Sequence, residues 1–202
     1  AAARSLTGMP NMKKLMTIVA ALACLTLTGC MTYSHKSLPE VSQWPLESVQ
    51  KKPSAYIKVQ TEYSFNGTPK ASNPNIARLE ELIRKEFVDS GRFSRVSTEQ
   101  EASDVYVTVT LRNQETGNLG LAVITGATFF LIPGTFDNTL IMDMTFRDGE
   151  GRKVGQVQKQ ETLTTWMHLF LVFALPFNGS GEEILGEQAK SNLEAAAQKN
   201  LI

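Results

Sequence analysis

Two stretches of the chain set an apolar residue at every second place, and between them lies an apolar run that follows no such rule. From Asp104 to Arg112, Val105, Val107, Val109 and Leu111 take every second place, with Tyr106, Thr108 and Thr110 between them. Successive side chains on a strand point to opposite faces, so this pattern predicts a strand with one face on a core. Thr139 to Asp148 repeats it through Leu140, Met142, Met144 and Phe146, and Ala55 to Tyr63 gives a third case. The turn Asp148-Gly149-Glu150-Gly151 leads into a more polar strand near Lys153 to Thr164, expected at or near a sheet edge. A short strand is also expected at Phe93 to Val96.

Two segments carry helical spacing instead. After Asn73-Pro74, the residues Ile76, Leu79, Leu82, Ile83 and Phe87 share one helix face, and Ser90-Gly91 ends the run. Its charged residues, Arg78, Glu80, Glu81, Arg84, Lys85 and Glu86, read as a solvated surface. Glu182 to Asn200 predicts a closing helix, with Ile184, Leu185, Ala189 and Leu193 apolar. The expectation is an α+β domain: a largely antiparallel sheet of about five strands with two helices on one face.

The uncharged runs fit neither period. Leu119 to Pro133 reads LGLAVITGATFFLIP, and Trp166 to Phe177 reads WMHLFLVFALPF. If the strands around them form an antiparallel meander, both runs emerge at the same end of the sheet. As helices they would reach about 22 and 18 Å, short of the ~30 Å hydrocarbon core, so neither spans a bilayer alone. Three readings stay open: core beneath the sheet, an interface with a partner or second copy, and contact with a membrane surface. Leu121, Ile124, Phe129, Phe130, Trp166, Phe170, Phe173 and Phe177 are the candidate interface residues.

The amino-terminal part has a different logic. From Met12 a basic start (Lys13, Lys14) precedes an apolar run from Leu15 to Leu27, then Thr28, Gly29 and Cys30, the layout of a secretory signal. Leu27-Thr28-Gly29-Cys30 resembles the bacterial lipobox. The resemblance implies cleavage between Gly29 and Cys30, and a diacylglycerol and an N-acyl chain on Cys30. The run is too short to span a membrane as a helix. Met31 follows Cys30; an Asp in that place would resemble the inner-membrane retention signal of enterobacterial lipoproteins, and its absence favours the periplasmic face of the outer membrane. Residues 1–11 read as an over-extended or non-native start, 12–29 as the signal peptide, 30–54 as a flexible tether carrying Pro39, Pro45 and Pro53, and 55–202 as the periplasmic domain. Trp44 and Leu46 are available to pack on that domain.

Composition narrows the function. Arg4, Lys13 and Lys14 precede Cys30 and no acidic residue does, which leaves 17 basic and 20 acidic residues after it, a net charge of −3. Nucleic acid is not an expected partner for such a surface. The histidines are His35 and His168 alone, without metal-ligand spacing, and no G-x-S-x-G elbow or phosphate loop occurs, so neither an enzyme nor a metal or cofactor site is expected. Asp104, Asp137, Asp143 and Asp148 sit at strand ends, in a turn or on a solvent face.

The stretch LEELIRKEFVDSGRFSRV followed by ASDVYVTVTL, from Leu79 to Leu111, resembles periplasmic accessory lipoproteins. These are of the type of the curli-secretion channel lipoprotein, the activators of penicillin-binding proteins and the amino-terminal domain of TolB. Ser103 stands between Ala102 and Asp104, a departure from the Ala-Asp pair of that pattern. The expected function is therefore a non-enzymatic outer-membrane lipoprotein, membrane-held through its lipid. It would join a cell-envelope complex, or copies of itself, through an apolar surface. The alternative is a binding module for a lipid or other apolar envelope ligand.

Overall fold

The computed structural model describes residues 29–169, 171 and 181–202. In chain order these form β1 (Gly29–Ser34), β2 (Ser54–Phe65), β3 (Thr68–Pro69), α1 (Ile76–Asp89), β4 (Arg95–Ser97), β5 (Val105–Gly117), α2 (Leu119–Ala127), β6 (Gly134–Asp148), β7 (Lys153–His168) and α3 (Gly181–Gln198). The α+β class expected from the sequence is the one observed. The strands make one sheet of order β1-β7-β6-β5-β2-β3, with β4 beside β2. It has seven strands instead of the expected five, because β1 and the two-residue β3 carry no alternation to betray them.

The sheet is antiparallel except where β2 meets β5 and β4. Parallel neighbours need a crossover, and α1 supplies it. Asn75 caps α1 by accepting from the Arg78 amide at 3.1 Å, and Ser90 closes it, its amide donating to the Glu86 carbonyl at 2.9 Å. Gly91 follows at φ +72°, where a side chain would be strained.

Helices α1 and α3 cover one face. Ile83 and Phe87 of α1 and Ala189, Leu193 and Ala196 of α3 meet Ile57, Val107, Val109, Met142, Met144 and Phe146 of the sheet. The Phe87 and Phe93 rings stack at 5.4 Å. Helix α3 also buries Gln188 and Asn192, whose side-chain amides donate to the carbonyls of Leu140 (2.7 Å) and Met142 (3.3 Å). The opposite sheet face is polar, with Lys58, Gln60, Gln156, Gln158 and Gln160 exposed.

The stretch 30–54, expected to be a flexible tether, is instead fastened to the domain. Gly29 to Ser34 pairs with His168 to Leu163, so β1 covers the end of β7. The carboxylate of Glu161, 1% exposed, then accepts from the hydroxyls of Ser34 (2.6 Å) and Ser37 (2.9 Å) and from the amides of Ser37 (2.9 Å) and Leu38 (3.1 Å). Farther along, the Ser42 amide donates to Glu194 at 2.9 Å, and Leu46 is buried with its amide on the Ser90 carbonyl at 3.0 Å. The bond before Pro45 is cis. Polar bonds to a distant buried carboxylate hold this segment, so hydrophobic periodicity gives no sign of it.

Candidate functional site

The meander β5–β6–β7 brings the apolar insertions to one end of the sheet, as its antiparallel order requires. The first insertion is α2 followed by a tight return into β6. Asn118 caps α2, accepting from the Leu121 amide at 3.0 Å. Thr125 is the buried residue of α2. It sits over Gly134, where an added Cβ would lie 2.7 Å from Thr125 Oγ1 and 3.3 Å from Met167 Cε, so a side chain there would displace the helix.

The return turn uses Phe129 (φ +52°) and Phe130 (φ +64°), both in the left-handed region. Each non-glycine residue held there costs about 1–2 kcal/mol. The amide of Phe130 donates to the Thr125 carbonyl at 2.8 Å and that of Leu131 to the Thr128 carbonyl at 3.1 Å, which fix the reversal. The Leu169 amide donates to the Phe130 carbonyl at 2.9 Å, joining the start of the second run to the first.

This geometry leaves apolar side chains in solvent. Val123 is 71% exposed, Phe129 70% and Leu119 63%, and Ile124, Leu131 and Ile132 are exposed too. No charged residue lies between Asn118 and Gly134. Of the candidate interface residues, Ile124 and Phe129 are exposed on this end, while Leu121 and Phe130 are half-buried. Trp166, taken from sequence as the start of the second insertion, belongs to β7, which runs on to His168; it is 41% exposed on the polar sheet face. Phe170, Phe173 and Phe177 lie outside the described residues. Leu119, Val123, Leu131 and Ile132 were not singled out in the sequence, although the uncharged run containing them was the signal.

Cys30 is at this same end. It is exposed, and its place in β1 is opposite Met167, one residue from Trp166. A cavity of about 240 Å3 opens at this end, lined by Phe65, Glu115, Leu119, Ala122, Phe136 and Met167 among others. Glu115 is the carboxylate on its wall. Glu115 accepts from the Tyr63 hydroxyl at 3.1 Å; burial foremost, then that bond and the carboxylate's charge, raise the Tyr63 phenol above its ordinary 10.0.

Asp137 accepts from the Thr164 hydroxyl at 2.5 Å, and His35 Nε2 lies 2.8 Å from the same Thr164 oxygen. With the hydroxyl hydrogen given to Asp137, His35 is the donor. A base that activates a nucleophile needs the reverse order. Among the described residues no group of three or more His, Cys, Asp or Glu is placed to hold a metal ion, and no helix is long and apolar enough to cross a membrane. At the other end of the sheet a cavity of about 420 Å3 is lined by Tyr56, Lys58, Tyr106 and Arg147 together with the β6–β7 turn.

No family model matches the chain, and no curated protein matches it in sequence. Among solved structures it is similar to PelC from Paraburkholderia phytofirmans, described as a dodecamer, at 7% identity and a TM-score of 0.35, over 82% of this chain and 95% of that one. A single-substitution variant of the same PelC dodecamer gives 7% identity and a TM-score of 0.35, over 83% and 96%.

Proposed function

We propose that this chain is a non-enzymatic lipoprotein of the cell envelope, held at the periplasmic face of the outer membrane through acyl chains on Cys30, and that the apolar end of its sheet is the surface through which it joins an envelope assembly. One observation carries the reading: the cysteine of the lipobox-like sequence and the exposed side chains of α2 and its return turn occupy the same end of one rigid sheet. Monomers seldom leave so large an apolar surface uncovered. A protein partner or a second copy is the expected occupant of the flank of that end, beside the cavity lined by Phe65, Ala122 and Met167.

The test has two parts. Cells fed an alkyne-bearing palmitate should label the wild-type protein and not Cys30→Ala, with the labelled protein in the outer-membrane fraction. A photo-crosslinking residue at Ala122, on the cavity side of α2, should then give discrete adducts that the same residue at Lys58, on the polar face, does not. Labelling that persists in Cys30→Ala, or identical adducts from both positions, would remove the proposal. The cavity beside Leu119 and Met167 favours a second reading, a module that takes an apolar ligand. A lipid retained in native mass spectrometry and lost in Ala122→Trp would favour it.

A further inference from the structure

We infer that the outermost part of the apolar end, α2 and the return turn through Ile132, lies in the head-group region of the very bilayer that carries the anchor. The inference deepens the lipoprotein reading and rests on it.

The argument begins with slack. A lipidated cysteine at the head of a free linker would leave the domain at any distance from its membrane. Here Cys30 is not at the head of a free linker. After cleavage it is the first residue of a strand whose pairing runs without a gap from Cys30 opposite Met167 to Ser34 opposite Leu163. The Glu161 carboxylate then clamps the residues that follow the strand. Acyl chains on Cys30 therefore place the end of β7 within a side-chain's reach of the lipid, and α2 is built on that same end.

The chemistry of the end suits that position. Helix α2 has nine residues, about 13 Å, which lets it lie in the boundary between head groups and acyl chains and not cross it. Its one buried residue faces the sheet, and Leu119, Val123 and Ile124 face out. From Asn118 to Gly134 there is no charge to desolvate. Trp166 stands one residue behind Met167, the partner of Cys30, at the level where indole rings collect in membrane–water boundaries. The first carboxylates, Glu115 and Asp137, come behind it, and the charged cavity of Lys58 and Arg147 is at the far end of the sheet. A second copy over Val123 and Phe129 would have to come between them and the lipid against which both copies are held; the bilayer covers these outermost side chains without any rearrangement, and leaves the cavity flank to the assembly.

The protein is extracted from the membranes of cells expressing the full chain, the acylation of Cys30 is read by mass spectrometry, and the protein is reconstituted into phosphatidylethanolamine–phosphatidylglycerol vesicles containing brominated lipid. Trp166 fluorescence is the quenching lost on Trp166→Phe. Acylated protein should show strong quenching of Trp166, greater with bromines near the head group than near the bilayer centre. In Val123→Glu/Leu131→Glu, which changes two exposed side chains, the protein should stay vesicle-bound by its acyl chains while Trp166 quenching falls roughly tenfold, because the new charges displace the apolar surface from the boundary. Acylated Cys30 with an unquenched Trp166 overturns this inference and leaves the anchor standing. An unacylated Cys30 overturns both.

Discussion

Replacing Glu161 with Leu keeps much of the buried volume and removes the acceptor for four hydrogen bonds from Ser34, Ser37 and Leu38. A hydrogen bond to a charged group is worth about 1.5–3 kcal/mol net. The bonds do not sum, because Ser37 is exposed and regains water on detachment, and because a buried carboxylate carries its own desolvation cost. The expected loss is thus close to one such bond, about 2–3 kcal/mol, and it falls on the docking of residues 29–38 rather than on the whole fold. At 1.4 kcal/mol per factor of ten, that is roughly a 30- to 100-fold rise in local opening. Amide hydrogen exchange reads it at His35, whose amide donates to the Thr162 carbonyl at 3.0 Å, with Asn66, bonded to the Glu115 carbonyl at 2.8 Å across the sheet, as the control. Exchange at His35 should rise by that factor while Asn66 is unchanged; equal changes at both, or none at His35, would refute the clamp. The same clamp has a pH signature. Burial acts to raise the Glu161 carboxyl, but the bonds from Ser34, Ser37 and Leu38 outweigh it and hold the carboxyl below its ordinary 4.5. A carboxyl depressed by folding stabilises the folded state fully above its unfolded value, so the segment stays docked above pH 4.5 and loosens as the pH falls through the lower folded value.

Phe87→Ala removes a fully buried ring stacked on Phe93, and thermal or urea unfolding should show a loss of about 3–5 kcal/mol. Gly134→Val drives a side chain into Thr125 and Met167; it should cost about 1–3 kcal/mol and raise amide exchange through α2 far more than through α1.

The strands β2, β5, β6 and β7 and helices α1 and α3 are legible because each buries one face with a regular period, and the polar turn at Asp148-Gly149 sets the last hairpin. That regularity also located the apolar end: an antiparallel meander leaves its alternate connections together. The parallel pairing of β2 with β5 was not legible, since alternation within a strand says nothing of its neighbour's direction. Strand β1 was hidden for a different reason. Its partner Glu161 is more than a hundred residues away, and a carboxylate on a polar strand looks like solvent-facing decoration until Ser34, Ser37 and Leu38 converge on it. At the end of the sheet, the uncharged run marked the surface but not its outward residues, because α2 is short and apolar nearly all round, with no polar stripe to tell inside from out.

Strand β1 also orders events in time. A peptidase that cuts between Gly29 and Cys30 must hold that backbone extended in its own cleft, and a strand's amides and carbonyls serve one neighbour at a time. On the proposed reading, cleavage and the pairing of Cys30 with Met167 therefore exclude each other. The first strand of the mature chain is the last to dock, and the exposed margin of β7 is closed only once the leader has gone.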